Sequence, residues 1–212
     1  MQTVTEISLE RARGGIFTRQ EASCWVASDG ARLDALLKRA VAVGEILRIR
    51  RGLFCLADRY RRAPIHAFEL AQRILGPSYI SLESALAHHG WIPEAVYTVT
   101  SVSLKRSRDF VTPMGNFSYT RVPQAPFFAG VHREELSAAA SIFVASPLKA
   151  LADYVYVHHC DWAGLTPVLE SLRVEQAELD ALTGESFDDL SGVYRSGRVC
   201  RFLNGVRKEL KK

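Results

Sequence analysis

Leu33, Leu36, Leu37, Ala40 and Val41 recur at i, i+3, i+4, i+7 and i+8, and directly after Gly44 the apolar period switches from helical to alternating. The first pattern predicts a helix with one inward stripe, leaving Ala31, Ala35 and Lys38 outside with Arg32 and Arg39 flanking them. Gly44 reads as its C-cap. In the second pattern Ile46, Arg48 and Arg50 alternate with Leu47 and Ile49, Arg51-Gly52 supplies a turn, and Leu53-Phe54-Cys55-Leu56 returns, which predicts a β-hairpin. A helix followed at once by an arginine-bearing hairpin leaves few arrangements for what precedes it.

Upstream, a short helical stretch ends at Gly14-Gly15. After Ile16-Phe17, Thr18 followed three residues later by Glu21 forms a capping box that starts a second helix, with Ala22 and Trp25 inward. Ser28-Asp29-Gly30 gives a turn and the N-cap of the third helix. Three helices, a short turn before the third and a closing hairpin with Arg48, Arg50 and Arg51 are the order of a winged helix-turn-helix, whose third helix enters the major groove while the wing lies against backbone or minor groove. The expected DNA contacts are Thr18, Arg19, Ser28, Ala31, Arg32, Ala35, Lys38, Arg39, Arg48, Arg50 and Arg51. The competing reading makes the hairpin arginines a solvated edge that discourages aggregation. Agreement of charge, helix order and hairpin position favours DNA.

Charge divides the chain in the same sense. Residues 1–62 hold 12 basic and 7 acidic side chains, for +5; residues 63–191 hold 8 and 15, for −7; residues 192–212 hold 7 and 1, for +6. An anionic partner at the N-terminal segment is the first functional implication. Apolar runs are interrupted by Arg, Glu or Gly well short of the about 20 residues a spanning helix needs, so no membrane partner is expected. Glu6, Glu10, Arg11 and Arg13 stand where a signal peptide would be apolar. Four widely spaced cysteines, Cys24, Cys55, Cys160 and Cys200, make neither CxxC pairs nor a disulfide framework. A cytoplasmic location is the expectation.

At 212 residues the chain fits two modest domains. The polar stretch from Asp58 to Pro64 reads as the linker, giving a DNA-binding domain over 1–60 and a larger one over 63–212. In the latter, 66–75 and the segment through His89-Gly90 read as helices. Runs at 96–104, 117–122, 127–131 and 141–144, rich in β-branched and aromatic residues, predict about four strands. Ser146-Pro147 opens a further helix, and more helices follow to the end. The fold class expected is α+β: an N-terminal winged helix-turn-helix, then a mixed domain with C-terminal helices.

Little suggests chemistry. His88-His89 and His158-His159-Cys160-Asp161 lack the i, i+4 geometry of a helical metal pair with further ligands elsewhere, and no phosphate-cradling or hydrolase motif occurs. Ser81 and Glu83 fit a helix start better than a nucleophile with its acid. No metal, cofactor or catalytic residue is expected.

The segments GGIFTRQEA, LDALLKRAVAVGEILRIRRGLFCLA, YISLESALAHHGWIPE, VYTVTS and IFVASPLKALADYVY, in this order from about Gly14 to His159, resemble the AbiEi-type antitoxins of type IV toxin-antitoxin systems. The resemblance implies a non-enzymatic autorepressor whose winged helix binds double-stranded operator DNA and whose C-terminal domain counters a nucleotidyltransferase toxin. It also implies a monomer in solution with more than one copy on DNA. One position departs: Leu148 stands where the family often has Glu, so no role of an acid transfers there. A regulator of an unrelated operon and a toxin-modifying enzyme are the alternatives.

Overall fold

A computed structural model describes residues 3–137 and 140–212. Among the described residues the chain is a mixed α+β protein with ten α-helices and two sheets, of three and six strands. It forms two compact units: Met1–Ile74 with Val111–Gly115 and Glu135–Ser141, and Leu75–Phe110 with Asn116–Glu134 and Ile142–Lys212.

The first unit opens with α1 (Val4–Arg11), whose N-cap Thr3 accepts from the Glu6 N–H while the Glu6 carboxylate accepts from the Thr3 N–H. Gly14 and Gly15, both with positive φ, turn the chain into β1 (Ile16–Thr18). Next come α2 (Arg19–Val26), α3 (Gly30–Ala42), β2 (Ile46–Arg50) and β3 (Leu53–Leu56). Strand β3 lies between β1 and β2, antiparallel to both, with Phe17 opposite Phe54 and Arg48 opposite Phe54 across the other edge. The α3 stripe delivers Leu33, Leu37 and Ala40 to a core with Val4, Phe17, Ala22, Ile46, Phe54 and Leu56. Full burial of each Leu is worth about 1.5–3 kcal/mol, far above the helix propensity of any α3 residue. The unit continues through α4 (Ala67–Ile74), which buries Leu70, Ala71 and Ile74 and ion-pairs Arg73 with Glu21 at 3.2 Å. Its boundary by proximity therefore falls at Ile74, beyond the Asp58–Pro64 stretch.

Further along come β4 (Ser78–Ile80), α5 (Leu82–His88), β5 (Thr98–Ser103), β6 (Arg108–Thr112), β7 (Gly115–Arg121), β8 (Val131–Ser137), β9 (Ala140–Ala145) and α6 (Pro147–Val157). Four short or basic helices end the chain: α7 (Thr166–Leu172), α8 (Gln176–Asp180), α9 (Gly184–Asp188) and α10 (Gly197–Leu210). The sheet order is β6-β7-β5-β4-β9-β8; β4 is antiparallel to β5 and parallel to β9, and β5 is parallel to β7. This corrects the expectation of four strands. β4, β6 and β8 are additional, because RDFVT and VHREELS carry charges that hide a strand pattern on exposed positions. The 127–131 run is not a strand: Pro123, Pro126 and Gly130 keep Phe127-Phe128 in a loop, where the two rings pack edge-on at 4.8 Å.

Beneath that loop the second unit holds a polar centre without solvent. Lys149 and Asp153, both fully buried and one helical turn apart on α6, pair at 2.8 Å. Asp153 also accepts from Tyr194 at 2.7 Å, Tyr79 at 2.9 Å and Ser81 at 2.7 Å. Lys149 donates to Tyr194 and to the Gln124 amide oxygen, and Gln124 donates to Tyr79 at 2.6 Å. Burial, with the Asp153 charge beside them, holds both tyrosine hydroxyls well above their usual range, so they stay protonated donors. Burial pulls the Lys149 ammonium down, against the opposing pull of Asp153.

Candidate nucleic-acid interface

The expected DNA-contacting residues fall into three groups. Thr18 is the N-cap of α2: its hydroxyl accepts from the Glu21 N–H at 3.1 Å and donates to the Glu21 carboxylate at 2.8 Å. Ser28 lies in the α2–α3 turn, its carbonyl accepting from Ser23 Oγ at 2.9 Å. These two shape the approach to α3. Ala31, Arg32, Ala35, Lys38 and Arg39 all lie on the exposed side of α3, opposite the buried stripe.

The arginines divide. Arg48 on β2 and Arg51 in the hairpin turn are exposed. Together with Lys38, Leu37, Val41 and Phe54 they line one groove of about 470 Å³ between α3 and the hairpin. Arg19, Asp34 and Gly52 complete the lining, so its charged side chains are four cations and one carboxylate. Arg50, in contrast, is half-buried: its Nε donates to the Ile74 carbonyl at 2.6 Å and its Nη1 to the Arg51 carbonyl at 2.9 Å. It caps the last turn of α4, where a cation also suits the helix dipole.

Arg19 is committed as well. Its Nε donates to Asp34 Oδ1 at 2.7 Å, its Nη1 to Asp29 Oδ1 at 3.0 Å and its Nη2 to the Gly30 carbonyl at 3.4 Å. One guanidinium at the start of α2 thus holds the turn, the α3 N-cap and the α3 surface. Hydrogen bonding to Asp34 and then Asp29 raises the guanidinium further above its ordinary value, and Arg19 in turn lowers Asp34. Asp29 is lowered first by the Gly30 N–H and then by Arg19. Asp34 was not among the residues expected from sequence. The signal that finds it is its spacing, i+4 before Lys38 on the polar face of α3.

The histidines have ordinary partners. His88 Nε2 lies 2.8 Å from Glu134, His89 donates to the Ala145 carbonyl at 2.8 Å, and His158 lies 2.9 Å from Glu83. Among the described residues no cluster of three His, Cys, Asp or Glu could hold a metal ion, and no helix is long and apolar enough to cross a membrane. The basic C-terminal helix is partly neutralised: Arg198 pairs with Asp161 at 3.0 Å and Arg207 with Asp188 at 2.9 Å. No protein-family model matches the chain, and no curated protein matches it.

Proposed function

We propose that the chain is a DNA-binding repressor that grips operator DNA with its first unit, inserting α3 in the major groove and laying the β2–β3 hairpin along the backbone. The observation that carries this is the single groove flanked by the exposed face of α3 and by Lys38, Arg48 and Arg51. The element order, helix, strand, two helices joined by a short turn, then a hairpin, supports the winged helix-turn-helix reading. Lys38 and the two hairpin arginines supply exposed charge at the points where phosphates would lie. The role as autorepressor and antitoxin against a nucleotidyltransferase toxin rests on the AbiEi resemblance, with neutralisation assigned to residues 63–212.

The test is to titrate the full chain with a duplex of its own upstream region at several salt concentrations. Each phosphate contact contributes about −0.9 to the slope of log K against log salt. Arg48→Ala and Arg51→Ala should each flatten that slope by about one contact and weaken binding to all sequences alike. An affinity independent of salt rules out the reading. For the antitoxin role, co-expression of the full chain with a nucleotidyltransferase encoded beside it should restore growth.

A further inference from the structure

Asp34 is a carboxylate on the outer face of α3, in the groove where every other charged lining side chain is Arg or Lys. A carboxylate there repels phosphates and lowers affinity for any duplex, so its presence calls for a return. The N-terminal half of a recognition helix meets base edges, and Asp34 is the fifth residue of α3. Its α3 neighbours one turn back are Gly30 and Ala31, and Ala35 follows it, so the adjoining helix side chains are small, and the Arg19 guanidinium lies against Asp34.

We propose that Asp34 determines sequence specificity by accepting a hydrogen bond from the exocyclic amino group of a cytosine in the major groove, with Arg19 as its positioning residue. This rests on the DNA-binding reading above. Asp34 Oδ1 is taken by Arg19 Nε at 2.7 Å, which fixes the side-chain orientation and leaves Oδ2 as the acceptor. The same contact lowers the Asp34 acid, so the group is an ionised, acceptor-only side chain at neutral pH. Of the four bases, guanine shows only acceptors at the major-groove edge and thymine an acceptor with a methyl group. Adenine pairs its N6 donor with its own N7 acceptor, which a carboxylate repels, whereas the cytosine base itself offers the N4 donor and no acceptor at that edge.

The experiment selects binding sites from a random duplex library with the full chain and with Asp34→Ala, Asp34→Asn, Arg19→Ala and Arg19→Lys. The wild type should enrich one position as cytosine, with a preference of about 5- to 150-fold over other bases. Asp34→Ala should lose that preference alone and bind non-specific duplex more tightly. Asp34→Asn should move it toward adenine, whose N6 and N7 an amide can contact together. Arg19→Ala should blunt the cytosine preference and Arg19→Lys restore part of it, a pattern that loss of fold does not produce. If both Asp34 variants enrich the wild-type sequence, or lose affinity for all sequences equally, the proposal is overturned. If the wild type enriches no sequence, the DNA-binding reading fails with it.

Discussion

Replacing Lys149 by Met tests how much the sealed polar centre of the second unit depends on charge balance. The change keeps an unbranched side chain, one heavy atom shorter, but strips the ammonium from Asp153, which then retains three neutral donors, Tyr79, Ser81 and Tyr194. Gln124 loses a donor at the same time. An unpaired carboxylate with no solvent access costs about 3–5 kcal/mol when its partner is removed. Asp153→Asn should cost a similar amount by leaving the ammonium without its anion. Replacing both, Lys149→Met with Asp153→Asn, removes the two desolvated charges together and should cost well under the sum of the single changes, a coupling of 2 kcal/mol or more. The assay is urea denaturation of the full chain carrying Trp25→Phe, so that Trp91 and Trp162 report the second unit. A Lys149→Met cost below about 1 kcal/mol, or simple additivity in the cycle, would refute the reasoning by showing that water reaches the centre.

Three further outcomes are expected. Arg50→Ala should leave the salt slope of DNA binding nearly unchanged while lowering stability by about 1.5–3 kcal/mol, the worth of a charged hydrogen bond to a half-buried carbonyl; thermal unfolding beside the titration separates the two. Thr18→Ala removes the α2 cap and should cost about 0.5–2 kcal/mol, read by chemical denaturation of the full chain carrying Trp91→Phe and Trp162→Phe, so that Trp25 fluorescence reports the first unit. Burial lowers the His89 imidazole below its ordinary 6.5, so as pH falls through that value the unfolded chain takes up the proton first and stability drops. His89→Gln should therefore lose less stability than the wild type between pH 7.5 and 5, and equal losses would contradict a buried neutral ring.

How far the fold can be read from sequence depends on whether one periodicity dominates locally. The α3 stripe and the β2–β3 alternation are each long enough to exclude the other period, and Leu33, Leu37, Ala40 and Ile46 are buried accordingly. Strands β6 and β8 escape because Arg108, Asp109, Arg133 and Glu135 occupy exposed positions that charge suits as well as any β-former. Phe127-Phe128 misleads in the opposite way, since apolar aromatic residues between Pro126 and Gly130 pack as a loop. Lys149 and Asp153 look like a surface i, i+4 pair until the rest of α6 is counted: Leu148, Ala150, Leu151, Ala152 and Val155 are buried around the helix, leaving no solvated side for them. On α3, which residues face outward is legible from the apolar stripe. Whether an arginine is available is not, because Arg50 and Arg19 are engaged by a carbonyl 24 residues away and carboxylates 10 and 15 residues away.

That remote carbonyl changes what a minimal fragment would measure. A piece cut at residue 60 lacks Ile74 and so releases the Arg50 guanidinium, which in the whole unit is spent on the end of α4. Such a fragment would present one cation more to a phosphate lattice than the intact protein does, and its binding would be steeper in salt by about 0.9. On the proposed DNA-binding reading the shorter protein would thus look like the better polyelectrolyte ligand, and a fragment extending through Ile74 would be needed to count the ions that the complete chain should displace.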